Sequence, residues 1–277
     1  MHPVFSFHRF SLLVGRHWAE NRKKYLLSLG AYAGLLSLWC LFLATTRRIP
    51  VDPELQQVTY FFCLFLGGAL YASQHFGELA TKPRAISYLM TPASLPEKLL
   101  CSLFYALPLF FVAFTATFYL VDTAYVTLVG TLHPYYSGKL TAGNIPRAAE
   151  VANVWVAPNR HGNQPNFFIY FYLAFIAVQS AFLLGSVYFP RYSFIKTVIA
   201  LFLTALVVGL LVNWFTERLL PGGFTDNFST YLIFKYDKAT EVQLPKWIGE
   251  VFASLLKYAI APVFWITTYY RLREKEV

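Results

Sequence analysis

Six long apolar stretches constrain the fold of this chain more than any other feature. Five of the six contain no charged residue. A helix of about 20 mostly apolar residues crosses the ~30 Å hydrocarbon layer of a membrane. Because lipid offers no hydrogen-bonding partners, an uncharged run of this length must pair its backbone groups internally. The sequence therefore predicts an all-α membrane protein with six transmembrane helices, which cover residues 25–46, 55–75, 99–121, 166–190, 197–216 and 251–270.

The composition agrees with a membrane domain. Hydrophobic residues make up 57% of the chain and charged residues 13%, whereas soluble domains carry about 25% charged residues. The connections are too short for a separate soluble domain, so residues 25–277 are predicted to form one six-span transmembrane domain. The net charge is +9, but no basic stripe interleaves with aromatic residues in a water-facing domain. The predicted partner of the basic residues is therefore the lipid bilayer and not nucleic acid.

The distribution of Lys and Arg predicts the orientation. Basic residues are denser in the N-terminal tail, the second-to-third and fourth-to-fifth connections and the C-terminal tail than in the other connections. The positive-inside rule then places both termini in the cytoplasm. Two long polar loops, 122–165 and 217–246, are predicted to lie outside, and residues 228–234 in the second loop have a β-rich composition.

The N-terminal residues 1–24 have the pattern of an amphipathic helix. Arg9 and Arg16 fall on one face, and Val14 and Trp18 fall on the opposite face. Cationic and aromatic faces on opposite sides favour a helix that lies in the cytoplasmic interface of the membrane. The alternative is an ordinary basic flank of the first span.

The cytoplasmic connection 77–98, termed the elbow, contains strong local signals. Pro83 is placed to open a short helix, which Thr91 and Pro92 then interrupt. Ser94 and Glu97 have the spacing of a capping box, so the helix of the third span is predicted to begin at Ser94. A short helix, a break and a capped helix start indicate a rigid elbow; the alternative is a compact turn with no partner.

No motif for nucleotide binding or catalysis is present on the chain. A P-loop and the HExxH, GxSxG and CxxC patterns are absent, which argues against an enzyme. The histidines are scattered, and the segment around His75 and Glu78 supplies too few ligands for a metal. Ser254 and Lys257 match an SxxK pattern, but the motifs that accompany it in Ser/Lys hydrolases are missing. We therefore predict no metal and no cofactor on this chain.

Polar residues in the last apolar stretch form a candidate intramembrane stripe. Glu250, Ser254 and Lys257 share one helix face at positions i, i+4 and i+7. A Lys at the centre of a membrane helix costs ~3 kcal/mol on insertion scales, so it has to snorkel, pair or line a wet cavity. Snorkelling or a structural pair is the simpler interpretation, and a stripe that faces a polar path is the functional one.

Two pairs of small residues indicate close helix packing. Gly30 and Gly34 form one small-xxx-small pair in the first span, and Gly68 and Ala72 form another in the second. Such pairs allow membrane helices to approach closely, within a chain or between subunits.

The elbow carries a resemblance to a known family. Residues 88–98 read YLMTPASLPEK, which is similar to the YLM-x-PAS-x-x-EK stretch of six-span bacterial proteins classed with the ABC-2-type exporter permeases. The order of an interfacial helix, six spans and a cytoplasmic elbow also resembles that family. The loop between the third and fourth spans is longer here than is usual for the family. In these permeases the matching elbow is the coupling helix, which docks on an ATPase.

The resemblance implies a function and a set of partners. The chain would be the permease subunit of an ATP-driven exporter in the bacterial inner membrane. A separate cytoplasmic ABC ATPase would bind ATP and Mg²⁺, and a second permease copy or homologue would complete the transporter. The coupling role would fall on 83–92 and the motif beside it, with the partner-binding residues Pro83, Arg84, Tyr88, Leu89, Met90, Pro92, Ser94 and Glu97. The alternative is a non-transporting membrane scaffold whose outer loops bind a partner protein.

Overall fold

The computed structural model describes residues 5–46, 53–80, 82–132, 151, 153–155, 167–219, 224–225, 230–235, 238–243 and 245–276. Helices account for most of these residues. The helices are α1 (Phe7–Thr46), α2 (Pro53–Gln74), α3 (Lys82–Leu89), α4 (Leu95–Phe104), α5 (Phe110–Leu132), α6 (Phe167–Tyr188), α7 (Ser193–Leu219), α8 (Lys246–Tyr258) and α9 (Ile260–Glu276). A 3₁₀ turn at Gly77–Ala80 precedes α3, and a π turn at Tyr105–Leu109 joins α4 to α5.

Within the described residues, five helical segments are long and apolar enough to cross a membrane. They are Phe7–Leu43, Glu54–Leu79, Leu95–Val129, Phe168–Tyr188 and Ser193–Trp214. The chain is thus a largely helical protein compatible with multi-pass insertion in a membrane. The sixth predicted span, 251–270, is divided by a one-residue bend at Ala259 between α8 and α9, across which the Ala259 N–H donates to the Leu255 carbonyl and the Val263 N–H to the Ala259 carbonyl. At 1.5 Å per residue, neither of these two helices alone covers 30 Å.

The first span and the predicted interfacial helix form one helix. α1 is 40 residues long, or about 60 Å at 1.5 Å per residue. The predicted boundary between residues 24 and 25 is therefore absent. No Pro occurs in α1 and no Gly lies between Gly15 and Gly30, so nothing in the local sequence ends the helix at that point. Whether its N-terminal part lies in the membrane interface stays a prediction.

The third span is longer than predicted. α4, the π turn and α5 form a continuous helical run from Leu95 to Leu132. Residues 124–132 lie in the predicted outer loop 122–165, and their sequence allows either a strand or a continuation of the third helix; the structure has the helix, as part of α5. The π turn surrounds Pro108. Pro lacks the N–H that a regular helix needs, and a π turn accommodates this loss by changing the hydrogen-bond pattern locally.

Three short strands form an antiparallel sheet in the second long loop. The strands are β1 (Phe224–Thr225), β2 (Thr230–Lys235) and β3 (Lys238–Gln243), in the order β1-β2-β3. β2 pairs with β3 from Thr230 opposite Gln243 to Lys235 opposite Lys238. The β-rich composition noted for 228–234 is thus expressed as β2, and the fold is not purely α-helical.

The chain divides into two compact units. The first comprises Met1–Tyr71 and Thr91–Phe175. In it, α1 runs parallel to α4 and α5, since Tyr105 meets Val14 near one end and Tyr125 packs on Leu43 near the other. α2 runs antiparallel to both neighbours. Its Tyr60 hydroxyl lies 2.9 Å from the Thr115 hydroxyl in the buried centre of this unit.

The second unit comprises Ala72–Met90 and Ile176–Val277. α6 and α9 run parallel in it. The Trp265 indole N–H donates to Ser180 Oγ at 2.7 Å, and Lys275 Nζ donates to the Val187 carbonyl at 2.7 Å. The C-terminal ends of these two helices therefore lie side by side.

Candidate functional site

The second half of the elbow is the start of α4. Ser94 is the N-cap residue, as predicted from the capping box, and its backbone N–H donates to Glu97 Oε2 at 2.8 Å. This bond satisfies an N–H group that the helix itself leaves unpaired. Pro92 lies in the bend that precedes Ser94, and its side chain is exposed. The break and the capped start were thus both predicted from local sequence.

Glu97 has a second role that the sequence did not reveal. Its other oxygen, Oε1, accepts from the Ser6 backbone N–H at 2.7 Å and from Arg9 Nη2 at 3.0 Å and Nε at 3.3 Å. The Glu97 side chain is fully buried, while Arg9 is 36% exposed. We term Ser6, Arg9, Ser94 and Glu97 the Glu97 anchor. It holds the N-terminal end of α1 against the start of α4.

The anchor changes the interpretation of Glu97 as a partner-binding residue. All the donors that reach its carboxylate belong to this chain, and none of its surface is exposed. Glu97 therefore does not belong to an exposed docking surface in this structure. A second contact joins the same elements, since Arg16 Nη1 donates to the Thr91 hydroxyl at 3.3 Å. The N-terminal helix is thus fastened to the second half of the elbow at two points.

An aromatic cluster lies behind the anchor. His17 Nε2 and the Tyr25 hydroxyl are 2.5 Å apart, and the His17 and Tyr105 rings have centroids 4.5 Å apart. The Tyr105 hydroxyl donates to the Val14 carbonyl at 2.8 Å. Sequence reasoning dismissed His17 among scattered histidines. The sequence feature that could have indicated this contact is the eight-residue spacing between His17 and Tyr25, because residues at that spacing lie close to one face of a helix.

The first half of the elbow is α3 and the turn before it. Tyr88 packs edge-on against the buried ring of Phe76, with centroids 6.2 Å apart. In contrast, Met90 is 78% exposed and Ile86 is 56% exposed. Residues four apart share a face of a helix, so α3 and the turn after it present an apolar surface to solvent. We term Ile86 and Met90 the α3 face.

The α3 face agrees in part with the predicted coupling residues. Met90 was predicted, Ile86 was missed, and Tyr88 is engaged with Phe76 and not projecting freely. Pro83 is exposed in the first turn of α3, as expected. The side chains of Arg84 and Leu89 lie outside the described residues, so their role in partner binding stays a prediction.

The predicted intramembrane stripe lies on α8. Glu250, Ser254 and Lys257 are all exposed, and their spacing keeps them on one face. Lys257, however, lies in the last turn of a 13-residue helix and not in the middle of a 20-residue span. The bend at Ala259 follows two residues later, and the Ala259 N–H still donates to the Leu255 carbonyl at 2.9 Å, as in a regular helix. The proposed role of Lys257 in a polar stripe stays a prediction.

Close helix packing occurs beside the predicted glycine pairs. No atom of a neighbouring element lies within 4 Å of a methyl group placed on Gly30 or Gly34. A methyl group on Gly67, in contrast, would overlap the Tyr32 ring. Gly68 and Ala72 are buried in α2, as expected for packing residues.

A second close contact was missed in the other unit. A methyl group on Gly185 of α6 would overlap the side chain of Thr197 on α7. These two helices therefore depend on a glycine to approach each other.

Comparison with known proteins gives no match to a protein-family model, a curated protein or a solved structure. Among the described residues, no group of three His, Cys, Asp or Glu side chains is placed to hold a metal ion. The structural features that bear on function are therefore the elbow, the Glu97 anchor and the arrangement of the helices.

Proposed function

We propose that this chain is the permease subunit of an ATP-driven exporter of the ABC-2 type, located in the bacterial inner membrane. A separate cytoplasmic ABC ATPase would bind ATP and Mg²⁺ and dock on the α3 face. The exposure of Met90 and Ile86 on a short helix between the second and third spans carries the proposal. A few well-packed residues near the centre of an interface contribute most of its binding energy.

The Glu97 anchor supports a coupling role for the elbow. A docking element transmits force only if it is attached rigidly to the spans that have to move. Ser94 and Glu97 cap the third span and, through Arg9, connect it to the first. A movement imposed on the second half of the elbow would therefore be passed to α1 and α4 together.

The arrangement of α6 to α9 supports six crossings. α7 begins beside the C-terminal ends of α6 and α9. It is long and apolar enough to cross a membrane. The chain then has to return, because α9 ends beside α6. We assign that return to α8 and α9 together, which gives six crossings and places both termini in the cytoplasm by the positive-inside rule.

A second permease copy is also part of the proposal. The side chains of α7 are exposed throughout residues 202–214, which form the C-terminal half of a candidate span. A second copy or homologue would cover part of this surface, and lipid would cover the remainder. Two such chains would enclose one transport path between them.

Co-purification tests the proposed function. The chain isolated from its native membrane should carry an ABC ATPase subunit, and the complex should hydrolyse ATP. Replacing both residues of the α3 face (Ile86→Ser with Met90→Ser) should lower ATPase recovery about tenfold or more, since truncating an interface anchor typically costs more than 1 kcal/mol.

A matched pair on α8 provides the control. Trp247 and Val251 are also exposed apolar residues four positions apart, and Trp247→Ser with Val251→Ser should leave ATPase recovery unchanged. A complex without any ATPase would contradict the exporter proposal. Recovery of a partner that has no nucleotide site would favour the membrane scaffold instead.

A further inference from the structure

The C-terminal ends of α6 and α9 and the start of α7 bring basic and aromatic side chains together in the second unit. The Arg271 guanidinium lies 4.8 Å from the centroid of the Tyr188 ring, and Lys196 Nζ lies 5.9 Å from that of Phe189. Lys275 donates to the Val187 carbonyl beside them. Cations are favourable here because the last carbonyl groups of α6 carry partial negative charge.

Two cations of this cluster have no acidic partner among the described residues. Arg191 and Lys196 are exposed, and neither of them forms an ion pair there. Among the described side chains of the cluster, Glu274 is the one paired carboxylate, and it accepts from Arg271 Nη1. Arg271 Nε is shielded from solvent and lacks an acceptor among the described residues. The cluster therefore keeps a strong excess of positive charge.

The connection between α6 and α7 adds two features that suit an anion. Tyr192 has a φ of 57°, a backbone conformation that aromatic residues rarely adopt, and its ring is 75% exposed. The first N–H groups of α7 emerge directly after it, where a helix favours negative charge. Ser193 Oγ in the same turn is buried, with no hydrogen-bonding partner among the described residues.

We propose that this cluster binds the headgroup of an anionic phospholipid. Arg191, Lys196 and Arg271 would contact the phosphate, and Tyr192 would lie at the level of the headgroups. α6 and α7 are both candidate spans that end or begin at this cluster, so the cluster lies where a headgroup layer would be. Basic pockets between span ends on the cytoplasmic side bind such lipids, and tyrosines are enriched at that level. A free phosphate ion offers the same charge but lacks acyl chains held beside the spans.

Lipid titration of the purified full-length chain tests the proposal. Adding phosphatidylglycerol to the protein in detergent should raise its thermal unfolding midpoint, whereas phosphatidylcholine should not. The variant Arg191→Gln with Lys196→Gln and Arg271→Gln should bind phosphatidylglycerol about 100-fold more weakly, since each basic residue near an anionic surface contributes ~1 kcal/mol. Native mass spectrometry of wild type and of each single variant gives the same comparison if the triple variant does not fold.

A matched triple variant separates a site from overall charge. Arg22, Lys23 and Lys24 are exposed residues of α1, and changing all three to Gln removes the same charge. This control should keep the phosphatidylglycerol effect. Equal losses in both triple variants would contradict a specific site. Glycerol phosphate should give no shift, and a shift equal to that of the lipid would overturn the proposal in favour of a site for free phosphate esters.

Discussion

Substitution of Glu97 by Gln gives the sharpest test of the Glu97 anchor. The change keeps the size of the side chain but removes its charge and replaces one carboxylate oxygen by an NH₂ group. Both oxygens accept N–H donors, Oε2 from Ser94 and Oε1 from Ser6 and Arg9. Whichever oxygen is replaced, a donor then faces another donor. A hydrogen bond to a charged group contributes ~1.5–3 kcal/mol, and an unsatisfied buried donor costs ~1–3 kcal/mol.

The expected loss is smaller than the sum of these two contributions. Arg9 is 36% exposed, so its guanidinium can recover part of its hydration, and a fully buried pair would cost ~3–5 kcal/mol. We therefore expect Glu97→Gln to destabilise the protein by about 2–3 kcal/mol. For a chain of this size the thermal midpoint should fall by roughly 4–8 °C. Hydrogen exchange should show that the loss of protection begins at residues 5–20.

An exposed pair on the same helix provides the control. Arg16 Nε and Glu20 Oε1 lie 2.7 Å apart, with side chains 49% and 52% exposed. Glu20→Gln removes the same kind of charge, but a surface pair at i and i+4 contributes only ~0.3–0.5 kcal/mol. Thermal midpoints should therefore separate the two variants clearly. If Glu97→Gln and Glu20→Gln unfold at the same temperature, the anchor does not contribute as we argue.

Two further predictions concern helix packing in the second unit, and a glycine in the first unit provides a control. Gly185→Ala should destabilise by ~1–3 kcal/mol because the new methyl group overlaps Thr197, and Thr197→Ala in the same chain should restore part of the loss. Gly34→Ala, with no neighbour within 4 Å, should be neutral or slightly stabilising in the same thermal assay. Trp265→Phe should cost ~0.6–1.5 kcal/mol because Ser180 loses its donor; an unchanged unfolding midpoint would show that this hydrogen bond does not stabilise the pair of α6 and α9.

Local sequence determined the parts of this protein that depend on neighbours along the chain. Uncharged runs of about 20 residues predicted the helices, because lipid leaves the backbone no other partner. Pro83 and the pair Ser94 and Glu97 predicted the short helix and the capped start of α4, since capping acts over three or four residues. The short helix and the capped start are confirmed, and five of the apolar runs lie in helices long enough to cross a membrane, although α1 begins at Phe7 and α5 ends at Leu132, well outside the predicted bounds.

Contacts between distant residues could not be read from the sequence in the same way. The capping box predicts a hydrogen bond to one oxygen of Glu97. Only the tertiary structure shows that the other oxygen accepts a hydrogen bond from Arg9, which is 88 residues away in the chain. The glycines at positions 30 and 34 had the expected spacing, yet the close approach occurs at Gly67 because helix rotation decides which face meets a neighbour. The bend at Ala259, in contrast, has a local cause, since Pro262 lacks the N–H that the Tyr258 carbonyl would accept in a regular helix. Apolar periodicity determines that a helix forms, whereas its register against other helices depends on how side chains far apart in sequence pack together.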